Sequence, residues 1–215
     1  MTLDVQTPDL ATYDAELDSH LALAADAQQL LFSGAATANA FAPEPVSDAQ
    51  MQAIHDLVKW APTAMNVQPL RIVLVRSADA RRRLVPLMAE GNRPKTAAAP
   101  LVAILAADTD FHEEMDRTFP HAPAAREMFA GNAAARESTA ALNAHLQAAY
   151  FLLGVRAAGL AAGPMGGFDA DAVSREFFPG GVHRAFLVVN LGHPTDESYR
   201  PRLPRLDYAE VVTTV

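Results

Sequence analysis

Cysteine is absent from this 215-residue chain. That excludes a disulfide framework, a thiolate zinc centre and a cysteine nucleophile. Uninterrupted apolar runs are short as well, and none approaches the roughly 20 residues needed to span a bilayer. Met1 to Glu16 is acidic and lacks the basic region and apolar core of a secretory leader, so no signal peptide is expected. Positive charge is scarce: 17 Lys and Arg against 25 Asp and Glu give a net charge of −8. A nucleic-acid binder needs a basic face for phosphates, which this balance argues against. Two catalytic signatures are missing too. No Gly-x-Gly-x-x-Gly joins a strand to a helix, and no serine sits in Gly-x-Ser-x-Gly. A chain of this length, half of it hydrophobic, is expected to form one compact cytoplasmic domain with a substantial core.

What is present is organised around Trp60-Ala61-Pro62-Thr63-Ala64-Met65-Asn66-Val67-Gln68-Pro69. Upstream, Ser47 and Gln50 form a capping-box signature that opens a helix with Met51, Ile54, Leu57 and Val58 on one face. Pro62 stops that helix, because a proline pushes its predecessor out of the α region. A buried strand follows at Ile72 to Val75. Between them, Thr63, Asn66 and Gln68 gather a hydroxyl and two amides. Such groups either read the edge of a planar heteroaromatic ligand or satisfy nearby backbone.

The rest of the chain alternates helix and strand. Pro8 to Leu31 reads as a helix capped by Asp9, and a small-residue loop, Phe32 to Phe41, follows it. Ser77 caps a basic helix over Ala78 to Met88 whose Arg81, Arg82 and Arg83 are expected to be solvated. Pro100 to Ala106 and Ala185 to Gly192 read as further buried strands. Asp108, Asp110, His112, Glu113, Glu114 and Asp116 read as a solvated excursion, without the spacing of a metal site. Ala124 to Ala158 carries a long helical pattern interrupted near Gly131. Its second part is apolar nearly all round and so is expected to be buried, with Asn143, His145 and Gln147 as polar exceptions. Gly159 is its expected stop, and Asp169 the cap of a helix over Ala170 to Phe178.

Pro-Thr-x-x-Asn-x-Gln-Pro between a Trp-ended helix and a hydrophobic strand resembles the flavin-binding loop of the nitroreductase family. Four further segments extend the resemblance over residues 31–212, with 1–30 as an amino-terminal helical extension. Ala36-Thr37-Ala38-Asn39 stands where the resembled branch has Arg-Thr-His-Asn, whose cations lie at the FMN phosphate. Thr37 and Asn39 survive; both cations are gone. Asn92 and Lys95 match a pair at the N1/O2 side of the isoalloxazine, where a fixed ammonium stabilises charge that develops on reduction. Pro164, Met165, Gly166 and Gly167 match a segment passing close to the ring; glycines permit that approach. Gly166 replaces an acidic residue common in the wider family. Arg205, with Arg202 second to it, matches a carboxyl-terminal arginine that grips phosphate.

The resemblance implies an α+β nitroreductase-like fold, a mixed central sheet flanked by helices around a long buried helix. It also implies a homodimer with FMN at the interface. The cofactor-binding set is then Thr37, Asn39, Pro62, Thr63, Asn66, Gln68, Asn92, Lys95, Pro164, Met165, Gly166, Gly167, Arg202 and Arg205. No protein group is expected to act as catalyst and no metal is expected, because the flavin carries the chemistry. NADH or NADPH is the implied hydride donor in a ping-pong exchange. The resembled branch, typified by malonic semialdehyde reductase (3-hydroxypropionate dehydrogenase) of pyrimidine breakdown, implies a semialdehyde acid as acceptor, with Arg71 as a candidate for its carboxylate. Two alternatives stand beside it: a broad nitroaromatic or quinone reductase, and a non-enzymatic relative that has lost FMN, which Ala36, Ala38 and Gly166 motivate.

Overall fold

In the computed structural model the structure describes residues 20–215. The cap at Asp9 and the first part of the expected amino-terminal helix lie outside the described residues. The chain divides into two compact units, Met1–Ala35 and Ala36–Val215. In the first, a short helix α1 (Ala25–Gln28) runs into a wider turn at Gln29–Ser33 and stops at Gly34, whose amide bonds back to Gln29 O.

The second unit is built on four strands, β1 (Leu70–Val75), β2 (Leu101–Asp108), β3 (Ala161–Met165) and β4 (His183–Gly192), in the order β1-β2-β4-β3. All three pairings are antiparallel, so within the chain the sheet differs from the mixed one expected. The connections β1 to β2 and β3 to β4 return between adjacent antiparallel strands at one end of the sheet, and only the long helical connection from β2 to β3 crosses it to re-enter from the far end. Seven helices accompany the strands: α2 (Asp48–Val58), α3 (Ala78–Leu84), α4 (Arg93–Ala98), α5 (Met115–Thr118), α6 (Pro123–Ala130), α7 (Ala133–Ala157) and α8 (Ala170–Phe177). A last turn, α9 (Tyr208–Val211), lies in an exposed tail.

β2 is buried along its whole length, which explains its unbroken apolar sequence. Successive side chains point to opposite faces. Leu101, Ala103 and Leu105 pack with Met51 and Ile54 of α2 and Phe151 and Val155 of α7. Val102, Ile104 and Ala106 pack with Leu84 of α3, Val173 of α8 and Phe178. A third cluster joins Val67, Ala107, Phe111, Met115 and Phe129 to Ala140 and Ala144 of α7.

The capping box at Ser47 forms as expected, Ser47 Oγ accepting from Gln50 N while Gln50 Oε1 accepts from Ser47 N. Gly159 ends α7 with φ of 72° and Asp169 caps α8, as the sequence suggests. Six readings need correction. β1 is a half-buried edge strand with Ile72 exposed, not the buried strand expected, and residues 20–24 are not part of a helix. Leu57 is exposed, not part of the α2 core face. The helix capped by Ser77 ends at Leu84, because Pro86 removes a helical donor and leaves one tighter turn at Val85–Leu87. Arg81 is not a solvated cation: its guanidinium donates to Thr96 O, Ala99 O and Val75 O. The acidic excursion after β2 is solvated only in part: Glu113, Glu114 and Asp116 are exposed, but Phe111, His112 and Met115 are buried with Asp108. Each large apolar side chain buried there contributes about 1.5–3 kcal/mol, enough to pin a segment whose acids remain at its rim.

Candidate functional site

The organising loop sits at the free edge of the sheet, just before β1, and its backbone is strained. Met65, Asn66 and Gln68 have φ of 49°, 52° and 42°, a left-handed region that side chains with a Cβ avoid. Each such residue costs on the order of 1–3 kcal/mol and persists only where its surroundings over-determine it. Here they do. Asn143 Oδ1, buried on α7, accepts from Ala64 N at 2.7 Å, and Gln147 Oε1, one turn on, accepts from Leu70 N at 2.9 Å. Asn66 Nδ2 donates to Thr118 O, and Thr63 Oγ1 accepts from Gln68 N. Gln68 Nε2 donates to Asn66 Oδ1 at 3.0 Å. Gln68 Nε2 also reaches Asn66 O, so what remains to meet a ligand is the Thr63 hydroxyl proton, Gln68 Oε1 and one N–H of Asn66. Pro62 is exposed beside them.

A second group lies along the opposite edge. Ala38 N donates to Ala162 O, which lays the Thr37–Asn39 strap across β3, and Asn39 N donates to Ser198 O. Past the end of β3, Asn92 Nδ2 donates to Gly167 O at 2.9 Å, and Ala89 N donates to the same carbonyl. A Cβ on Gly167 would lie 2.8 Å from that Asn92 nitrogen, so a larger residue there would displace the Asn92 amide. Gly166 is exposed with nothing within 4 Å of a Cβ built there, which leaves an open shelf. Met165 is buried, and Thr96 Oγ1 reaches its sulfur at 3.9 Å, tying α4 to β3. Lys95 lies one turn from Asn92 on the same face of α4. It is half-buried, and no carboxylate among the described residues pairs with it.

The two groups are not contiguous. β1 and β3 are separated by β2 and β4, three inter-strand steps, roughly 14 Å. The loop also packs with the α7 layer, whereas Met165 belongs to the α3 and α8 layer. The remaining pair, Arg202 and Arg205, lies in the exposed tail, where Arg205 Nη1 donates to Leu203 O and Pro204 O. Burial pushes the Arg156 guanidinium at the end of α7 down from its ordinary value, and Arg202 is close enough to add to that shift.

Arg71 is committed elsewhere. Its guanidinium meets Asp108 at 2.6 Å and donates to Gln68 O and Leu70 O, which leaves the expected carboxylate partner occupied within the chain. A groove of about 580 Å³ runs along β1 between α2 and α7, lined by Met51, His55, Gln68, Arg71, Ile72 and Phe151 among others. Sequence reasoning missed the Asn143 and Gln147 supports. Their signal was present, two amides four residues apart on an otherwise apolar helix.

A family model described as the Nitroreductase family matches residues 36–193. A protein of Streptomyces griseus, provisionally named NADH dehydrogenase/NAD(P)H nitroreductase, is 61% identical over 189 residues, covering 88% of this chain and 96% of the relative. One of Leptothrix cholodnii with the same name is 53% identical over 178 residues, covering 83% and 90%. Among solved structures, a nitroreductase of Exiguobacterium sibiricum in complex with FMN shares the fold with a TM-score of 0.80 at 19% identity, covering 89% of this chain and 98% of the other.

Proposed function

The chain belongs to the nitroreductase family, and from that premise we propose that it is an FMN-dependent NAD(P)H oxidoreductase acting on small electron-poor acceptors. The observation that carries this reading is Lys95: a half-buried ammonium without a carboxylate partner among the described residues, one helical turn from Asn92. Asn92 in turn is fixed to Gly167 beside the open shelf at Gly166. A cation one helical turn from the residue fixed to a flat, glycine-permitted surface fits a planar ring that gains negative charge on reduction. The donor set therefore fits FMN. Lys95 and Asn92 would hold the pyrimidine edge, the Pro164–Gly167 segment one ring face, and Thr37, Asn39, Arg202 and Arg205 the ribityl phosphate. When bound, FMN supplies the hydride exchange between nicotinamide and acceptor.

The loop bearing Pro62, Thr63, Asn66 and Gln68 lies at the opposite sheet edge from that group within one chain. A second copy of the chain resolves the separation, and we read the protein as a homodimer whose loop completes its partner's site. Leu142, Leu146 and Tyr150 support this: they form an exposed stripe four residues apart along α7, with Leu57 and Trp60 exposed on and after α2. That explains why α7 is apolar nearly all round although one side of it is open.

The finer reading, a semialdehyde acid as acceptor, has weaker support, because Arg71 is bound to Asp108. Reading the visible spectrum of the purified protein, then adding NADH or NADPH without oxygen, tests the proposal. A flavin spectrum bleached by nicotinamide and restored by a nitroaromatic supports it; restoration by malonic semialdehyde but no nitroaromatic selects the finer reading. A colourless protein that also refuses added FMN overturns both, and leaves the non-enzymatic alternative.

A further inference from the structure

We propose that Asn143 is a positioning residue for the cofactor-reading loop, with Gln147 as its second anchor. The functional half of this proposal rests on the flavin reading above; the structural half does not. Asn143 is 1% exposed, and both ends of its amide are used. Nδ2 donates to Thr139 O within α7, which fixes the side-chain orientation and turns Oδ1 toward Ala64 N. Gln147 repeats the arrangement one turn along, accepting from Leu70 N where the loop enters β1. The helix thus grips both ends of the segment that holds the left-handed residues Met65, Asn66 and Gln68.

The bonds internal to the loop do not fix this shape alone. Asn66 N to Thr63 O and Val67 N to Ala64 O close two overlapping turns, which an ordinary right-handed turn would also satisfy. The external anchors choose between the two. With Ala64 N held, the Thr63 hydroxyl and the Gln68 amide stay on a common side of the loop, joined by the Gln68 N to Thr63 Oγ1 bond. Released, the loop relaxes toward right-handed backbone and the hydroxyl and amide separate. Asn143 touches neither ring nor substrate; it acts through the loop.

The test uses three variants of the full chain. Asn143→Leu keeps volume and removes the acceptor. Asn143→Asp keeps the acceptor. Gln147→Leu removes the second anchor at a less buried position, and serves if Asn143→Leu does not fold. Amide hydrogen exchange at Ala64 and Leu70 reads the clamp directly, and titration with FMN, followed by flavin fluorescence, reads its consequence. Loss of one such bond corresponds to roughly a tenfold change. Asn143→Leu is therefore expected to exchange Ala64 and its loop neighbours about tenfold faster, with the α7 core amides unchanged, and to weaken FMN binding by a similar factor. Asn143→Asp, which keeps the acceptor for Ala64 N but loses the Nδ2 donor to Thr139 O, is expected to restore both only in part. A leucine variant with wild-type loop protection overturns the clamp. One with faster exchange but unaltered FMN affinity overturns the positioning role. If the wild-type chain binds no FMN, the flavin reading fails, and the exchange data decide the clamp by themselves.

Discussion

At Ala38 the missing cation has a steric explanation. The residue is 1% exposed, and its carbonyl lies 2.4 Å from where a Cβ on Gly163 would stand. The strap is pressed against β3 there, and an imidazole has no room. Ala36, two residues earlier, is only half-buried. Restoring the two cations is thus expected to give opposite results. Ala36→Arg should tighten FMN binding by roughly tenfold or more, the value of one charge-assisted hydrogen bond. Ala38→His should lower stability by about 1–3 kcal/mol, the usual cost of overpacking. Titration with FMN and urea unfolding of both variants check this; equal behaviour of the two would contradict the packing argument. Lys95 gives a second prediction at this scale. Replacing it with methionine keeps the stem and removes the charge. Nicotinamide should then bleach the flavin about 10- to 100-fold more slowly, and the bound flavin's midpoint potential should fall. An unchanged potential would place Lys95 away from the ring.

Among the elements, α2 and α7 cross where Gly154 faces Val58 and Ile54. A Cβ at Gly154 would lie 2.3 Å from Val58 Cγ1 and 3.1 Å from Ile54 Cγ2. Alanine raises helix propensity by about 1 kcal/mol over glycine, so propensity alone favours Gly154→Ala. Packing opposes it: the helices must separate, at a cost of about 1–3 kcal/mol. A net loss of stability in urea unfolding, with an unchanged m-value, is the expected outcome; a gain would show that the crossing can yield. This level also shows how far the sequence could be read. Local signals translated directly, because a Ser47 or Asp169 cap and a left-handed Gly159 depend on neighbours three or four residues away. β2 was legible from its unbroken apolar run. The segment after it was not: its acids advertise solvent, while Phe111 and Met115 are buried by α6 and α7, which arrive later in the chain. Asn143 and Gln147 stood out as polar exceptions, but what they bind did not, since their partners Ala64 and Leu70 are 79 and 77 residues away. Arg81 looked solvated only because backbone carbonyls, its real partners, leave no trace in sequence.

For the whole molecule, the sheet itself decides what the site requires. A planar ligand lying against Lys95 and Gly166 cannot also reach Thr63 and Gln68 of the same chain around two intervening strands. One group must be supplied from outside, or one must be idle. The stripe Leu142, Leu146 and Tyr150 indicates how supply would work, since a second copy seated on α7 is the partner that necessarily carries a second 62–69 loop. No helix among the described residues is long and apolar enough to cross a membrane. Replacing Leu142 and Leu146 together by glutamate places four like charges in a symmetric contact and should release the copies from each other. Light scattering after gel filtration is expected to show twice the wild-type particle number at half the mass, with the helical circular dichroism retained. If each site needs its partner's loop, FMN affinity should fall by 100-fold or more, because several hydrogen bonds are lost together. A folded monomer that binds FMN as tightly as the wild type would leave the β1-edge loop without a part in the site, and return Thr63, Asn66 and Gln68 to the simpler role of satisfying their own backbone.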